Sequence, residues 1–225
     1  MALYRIADLT FQIQPQGPEL KHMLASYGCT DGAGAITVPK SPPETEVIDT
    51  LRQISLTLLR REEGCFLHGA ALEYGGKAYL FTAPSGTGKT THIRLWLQRP
   101  ELNARILNGD KPLLRFCAGV PMLYGTPWQG KERLGYPGSA PLAGIYMLRR
   151  GSENKVTVPE PEEALAGLLD ATVYPRQAAD MERFLNLMDR LLQAVPVRVL
   201  HCTPDAAAVD AVLSDLNTRK KVNRE

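Results

Sequence analysis

Ala83-Pro84-Ser85-Gly86-Thr87-Gly88-Lys89-Thr90 is the stretch on which the reading of this chain turns. It fits the pattern G-x-x-x-x-G-K-[ST] at every position but the first, where Ala83 stands in place of glycine. Residues 77–83 before it are apolar and strand-like, and from Lys89 the spacing of Ile93, Leu95, Trp96 and Leu97 predicts a helix to about Gln98. In a small-residue loop between strand and helix, successive backbone N–H groups can turn inward as an anion nest. The helix N-terminus adds positive potential there. Gly86 and Gly88 allow the backbone angles and the close approach that the nest needs. Lys89 can then reach the β- and γ-phosphates of a nucleotide and the Thr90 hydroxyl can ligate Mg²⁺, with Ser85, Thr87 and Thr91 completing the cradle. A chance Gly/Ser/Thr turn is the bland alternative, and the strand–loop–helix context favours the nucleotide. Such a loop does not name a reaction: it serves ATPases, GTPases, kinases and decarboxylating enzymes alike.

Working outward, residues 65–74 read as a strand joined to 77–83 by the turn signal Gly75-Gly76. Residues 104–108, 113–116, 143–148 and 155–158 are further strands, and 120–141, dense in Gly and Pro, reads as a long loop. Helices are expected over 160–169, over 178–194 with an apolar stripe through Met181, Phe184, Leu185, Met188 and Leu191, and over 205–216; 195–202 alternates as a strand. Toward the N-terminus, 3–13 gives one or two strands, 28–43 is loop-rich with a strand at 35–38, and 45–60 is a helix that Thr45 can cap. The pattern predicts an α/β fold in which 1–62 is a small α+β add-on, 63–218 the nucleotide-binding core and 219–225 a solvated basic tail.

The 225 residues suffice for a sizeable core, and 44% hydrophobic with 22% charged is ordinary for a globular chain. A net charge of +2 supplies no field to attract nucleic acid or an anionic membrane, and no apolar run reaches the length of a membrane span. Neither partner is therefore expected. Residues 1–5 carry no signal-peptide core, and Cys29, Cys65, Cys117 and Cys202 show no C-x-x-C spacing. Free thiols in a reducing cytoplasm are expected. His22, His68, His92 and His201 are not spaced as a helical metal pair.

Four motifs occur in order: His68-Gly69-Ala70-Ala71, Pro84 to Thr91, Asn108-Gly109-Asp110-Lys111-Pro112 and Tyr124-Gly125-Thr126-Pro127-Trp128. Together they resemble the HPr kinase-like P-loop serine kinases, which share a nucleotide-binding core with ATP-dependent phosphoenolpyruvate carboxykinase. The match runs from about 66 to about 154, weakens toward the chain end, and is nearest to the small peptide-tailoring members. The resemblance implies a P-loop kinase core and a kinase dependent on ATP and Mg²⁺ that transfers the γ-phosphate to a hydroxyl. That hydroxyl would belong to a serine of a peptide or protein, or to a small molecule. It leaves the acceptor unnamed. A homo-oligomer is compatible with it, since the larger relatives are hexamers.

Carried over by residue, Lys89 and Thr90 match the loop lysine and the metal-ligating hydroxyl, and His68 matches the histidine beside metal and reacting phosphate. Asp110 matches the second of two tandem acids, with Mg²⁺ as its ligand partner. Gly109 stands where the first acid would be. Either Asp110 does both jobs, or His68 takes the proton, or positioning suffices, because phosphoryl transfer has a loose transition state. Residues 124–131 would form a substrate-side loop. Lys131 and Arg133 either neutralise charge on the transferring group or are solvated cations. Trp128 either anchors a core or lines an acceptor pocket, and Arg149 and Arg150 either approach the nucleotide or are merely exposed. The missing acid also admits a nucleotide-dependent switch that transfers nothing. A carboxykinase activity is weaker still, for want of a further substrate domain.

Overall fold

The computed structural model describes residues 2–61, 63–84, 86–172, 175 and 177–222, the side chains of 220 and 222 excepted. Strands β1 (Ala2–Ile6), β2 (Leu9–Ile13) and β3 (Ile36–Thr37) make a sheet of their own, β1 antiparallel and β3 parallel to β2. Between β2 and β3 lies α1 (Pro18–Met23), which the sequence did not signal; Pro18 opens it, where a missing N–H costs nothing. Helix α2 (Glu46–Arg60) follows. Thr45 occupies its N-cap position but does not cap it; the hydroxyl turns back toward the Pro42 carbonyl at 3.5 Å. The buried Glu46 carboxylate instead accepts from the backbone N–H groups of Gln16 and Gly17, each at 2.7 Å, and pins α2 to the entry of α1.

The main sheet is built from β4 (Gly64–Phe66), β5 (Ala70–Tyr74), β6 (Lys77–Thr82), β7 (Arg105–Asn108), β8 (Leu113–Cys117), β9 (Val120–Tyr124), β10 (Ser139–Arg150), β11 (Lys155–Thr157) and β12 (Val197–Cys202). The order is β4-β8-β9-β10-β6-β5-β7, with β12 also on β10 and β11 outside β12. The first residues of β10 pair antiparallel with β9, and its remainder pairs parallel with β6 and β12. One long strand thus belongs to two differently directed parts of a curled sheet.

Alternation along the strands sets the layers. Leu80, Ile145, Met147, Val197 and Val199 point to one face, where α4 (Pro161–Asp170) and α5 (Ala178–Ala194) bring Leu168, Phe184, Met188 and Leu191. Tyr79, Phe81, Tyr146, Leu148 and Leu200 point to the other, against Ile93 and Trp96 of α3 (Lys89–Leu97) and Val209 and Val212 of α6 (Ala207–Val222). A third cluster joins Phe11, Leu20, Leu51, Ile54 and Leu58 to Phe66, Leu113, Tyr124 and Trp128, so the N-terminal sheet shares its core with β4, β8 and β9.

Three further expectations are corrected. Residues 65–74 are two strands, because β4 pairs with β8 while β5 pairs with β6 and β7, and the chain steps between them at Leu67, His68 and Gly69. The stretch 120–141 is not all loop: Met122, Leu123 and Tyr124 follow Pro121 into β9, and β10 begins at Ser139. Arg219, expected in a solvated tail, lies in α6 and donates to the Ala143 carbonyl at 2.7 Å; 223–225 lie outside the described residues. No helix among those described is long and apolar enough to cross a membrane.

Candidate functional site

Strand directions bring the chemistry-bearing residues to one edge. β10 runs parallel to β6, and β5 runs antiparallel to both β6 and β7, so β6, β7 and β10 end on the side where β5 begins. The loop after β6, the turn after β7, the end of β10 and His68 before β5 therefore meet.

The loop after β6 has the form expected of an anion cradle. Gly86 and Gly88 have φ of 78° and 118°, and a Cβ on either would meet nothing within 4 Å among the described residues. Thr87 N–H returns to the Pro84 carbonyl at 3.3 Å, and His92 N–H to that of Gly88 at 2.9 Å, the first bond of α3. Lys89 Nζ donates to the Ala83 carbonyl at 2.8 Å, so the ammonium spans the loop mouth. Thr90 and Thr91 lie in the first turn of α3, and Ser85 lies outside the described residues. From β10, Arg150 Nη2 donates to the Gly86 carbonyl at 2.7 Å. These residues fit a phosphate chain: among the described residues no atom lies within 4 Å of a Cβ built on Gly86 or Gly88, α3 starts at the loop's end, and Lys89 reaches back to it.

His68 is placed by backbone hydrogen bonds on both sides and by the Thr82 hydroxyl, which donates to its carbonyl at 3.1 Å. Leu67 N–H bonds the Pro112 carbonyl at 2.9 Å, His68 N–H that of Ala171 at 2.6 Å and Gly69 N–H that of Asp110 at 2.9 Å. Gly69 is needed there, because a Cβ would stand 2.9 Å from the Phe81 carbonyl oxygen. This stitching sets His68 Nε2 3.4 Å from Asp110 Oδ1, while Lys111 Nζ donates to Asp110 Oδ2 at 2.6 Å. Burial pushes the Asp110 carboxyl up, but hydrogen bonds from His68 and Lys111 outweigh it and bring it down to about 2. Burial lowers the Lys89 ammonium, the Asp110 charge works against that, and Lys111 adds to the lowering. Lys89, Asp110 and Lys111 thus feel one another across one small space.

The turn carrying Asp110 and Lys111 is held from inside. Asn108, fully buried, accepts on Oδ1 from the N–H groups of Asp110 and Lys111 at 2.9 and 2.8 Å. Its Nδ2 donates to the carbonyl and the hydroxyl of buried Thr126, both at 3.1 Å, and that hydroxyl donates to the Lys111 carbonyl at 2.6 Å. Asn108, Lys111 and Thr126 stood in the sequence as members of the quoted motifs, with no role assigned to any of them. The signal available was three polar residues beside Asp110 and Trp128, at positions indistinguishable from ordinary turn residues.

Gly109 is closed in. A Cβ there would lie 3.0 Å from the Gln129 carbonyl oxygen and 3.2 Å from that of Leu134, and Gly130 packs on Asp110 in turn. Residues 125–138 therefore fill the space into which a first acid would project. Lys131, next in sequence, is exposed. Arg133 is not gathered with His68 and Asp110: it adopts φ of 50° and its Nη1 meets His22 Nε2 at 2.5 Å. Trp128 is a core anchor rather than a pocket wall, buried against the edge of Phe66 with Nε1 donating to the Val47 carbonyl at 2.9 Å.

A cleft of about 860 Å³ opens beside the loop, lined by His68, Pro84, Gly86, Thr87, Arg149 and Glu163 among others. Arg149 pairs with Glu163 of α4 across it. Among the described residues no group of three His, Cys, Asp or Glu is placed to hold a metal, so a Mg²⁺ ion would rest on Asp110, the Thr90 hydroxyl and the oxygens of the phosphates themselves.

No protein-family model and no curated protein matches the chain. Among solved structures it is similar to the HPr(Ser) kinase/phosphatase from Coxiella burnetii, at 11% identity and a TM-score of 0.41, over 70% of this chain and 98% of that one.

Proposed function

We propose that this chain is an ATP- and Mg²⁺-dependent kinase that moves the γ-phosphoryl group to a hydroxyl, a serine of a peptide or protein or a small alcohol. The observation that carries the reading is the meeting of an open glycine loop and its Lys89 with the His68–Asp110 pair, 3.4 Å apart, at one sheet edge. The acceptor oxygen bonds to the γ-phosphorus as the bond to the β,γ-bridging oxygen breaks, and the hydroxyl proton leaves to Asp110, His68 or solvent. Lys89 draws negative charge toward the loop. Asp110, held down to about 2, is an anion at neutral pH. It is suited to orient the acceptor O–H and to ligate Mg²⁺, and too weak a base to take the proton early, which a loose transition state does not require. When bound, Mg²⁺ neutralises the charge shared by the β- and γ-phosphates. The cleft between the loop and α4 gives an acceptor room beside His68.

The test is transfer from labelled ATP to serine peptides and small alcohols, alongside direct nucleotide binding. Lys89→Met and Asp110→Asn are each expected to lower transfer by about a thousandfold. Nucleotide binding with no transfer to any acceptor would replace the kinase with a nucleotide-dependent switch, and unchanged turnover in Asp110→Asn would remove that residue from the mechanism.

A further inference from the structure

Resting on that reading of the loop, we propose that Lys111 is a second cation for the γ-phosphate: its ammonium holds Asp110 Oδ2 in the empty site and turns to the phosphate oxygens when the nucleotide arrives, freeing the carboxylate for Mg²⁺ or the acceptor. The backbone of Lys111 is fixed at three points. Its N–H is shared between Asn108 Oδ1 at 2.8 Å and the Trp128 carbonyl at 3.1 Å, and its carbonyl accepts from the Thr126 hydroxyl at 2.6 Å. Only the side chain is left to move, a flexible stem with three donors that can exchange one anion for another at short range.

Lys111 holds one Asp110 oxygen and His68 faces the other, so an arriving metal competes with both for the carboxylate's charge and lone pairs. Lys111 is the partner with somewhere to go. It shares the space with Lys89, and two ammonium groups beside a single carboxylate leave an excess of positive charge at the loop mouth. An entering phosphate compensates that excess. Position 109 is a glycine and supplies no second carboxylate, and no trio of metal-binding side chains stands among the described residues. The protein donor set is too poor for two metal ions, and Lys111 supplies the positive charge that a second one would bring.

The experiment compares two nucleotides by calorimetry on the full chain: MgADP, which lacks the γ-phosphate, and the magnesium complex of the β,γ-imido analogue of ATP, which keeps it and is not turned over. Lys111→Met is expected to weaken the triphosphate analogue about tenfold and to leave MgADP within about twofold, since one charge-assisted contact is lost. Lys111→Arg keeps the charge and is expected to restore the preference. Lys111→Gln serves as the uncharged variant if Met does not fold. Equal weakening of both nucleotides, or of neither, overturns the role of Lys111 while the loop reading stands. Failure of the wild-type chain to bind either nucleotide overturns the loop reading, and the proposal with it.

Discussion

After β6 the chain turns through glycines whose Cβ directions are empty to 4 Å; after β7 it turns through Gly109, whose Cβ direction ends 3.0 Å away on the Gln129 carbonyl oxygen. Both turns face the same space. The first owes its shape to glycine φ values, to Lys89 bonded back to Ala83 and to α3 behind it. The second is filled, with Asn108 and Thr126 bonded beneath it and residues 125–138 packed on top. One turn is left open, as the proposed nucleotide would need, and the other holds a carboxylate and an ammonium still. A site of this kind divides the labour: the ligand completes one half, and the protein completes the other before the ligand comes.

The comparison breaks most sharply at Asn108. Replacing it with Ala takes the acceptor from two N–H groups and leaves a small cavity in a fully buried position. The expected loss is about 4 kcal/mol, read as a fall in Tm near 10 °C. Asn108→Asp keeps the acceptor and loses less. A loss under about 1 kcal/mol in Asn108→Ala would mean that the second turn is shaped from above, by residues 125–138, and not from within.

Beneath the open loop the corresponding anchor is His92, in the second turn of α3. Its ring lies against Phe81, its Nε2 accepts from Trp96 Nε1 at 3.2 Å, and its Nδ1 is buried without a partner among the described residues. Burial pushes it down to about 4 from the ordinary 6.5. An unfolded chain therefore binds this proton at a higher pH than the folded one. Stability is full above about pH 6.5, falls as pH drops toward 4, and has lost about 3 kcal/mol from this residue once below it. Urea unfolding between pH 7 and 4 reads the slope, and His92→Gln, which keeps an acceptor for Trp96, is expected to flatten it. An unchanged slope would move the pH dependence to other groups.

Gly109→Asp asks whether the missing acid can be put back. The neighbours of a new Cβ are two backbone oxygens and the Leu134 Cβ, none of which swings aside as the far end of a flexible side chain would. The expected outcome is about 2 kcal/mol of destabilisation with no gain in transfer. Rising activity in Gly109→Asp would show that residues 125–138 yield, and that the second turn is less closed than its geometry states.

Much of the first turn was legible and little of the second. The glycine turn after β6 stands out because a backbone at positive φ demands particular residues, and Gly86 and Gly88 supply them. His68 and Asp110 could be named from the order of motifs, although the contact between them is made by stitching of 67–69 to 110–112 and to Ala171, pairings far apart in sequence. Asn108, Lys111 and Thr126 stood in the quoted motifs without showing what they do, since a buried amide clamp and a turn asparagine are written with the same letter. Pro121 made β9 look like loop, and the apolar run Met122-Leu123-Tyr124 behind it was outweighed by the surrounding Gly and Pro. The α/β pattern itself came through because alternation on β6, β10 and β12 and the helical stripes on α2 and α5 are strong local signals.

The smallest expected effect sharpens the comparison most. Arg150 is exposed and donates to the Gly86 carbonyl at 2.7 Å, the one side-chain contact from β10 that holds the open loop among the described residues. An exposed bond of this kind contributes under about 1 kcal/mol, so Arg150→Gln should weaken MgATP by about threefold and leave Tm within about 1 °C. Arg150→Lys should not recover the loss, because a single ammonium lacks the planar fork that reaches the carbonyl from the strand end. If affinity falls a hundredfold instead, the loop does not hold its own shape. The open turn would then depend on a side chain from outside as the closed turn depends on Asn108, and the two strand ends would differ only in where that support comes from.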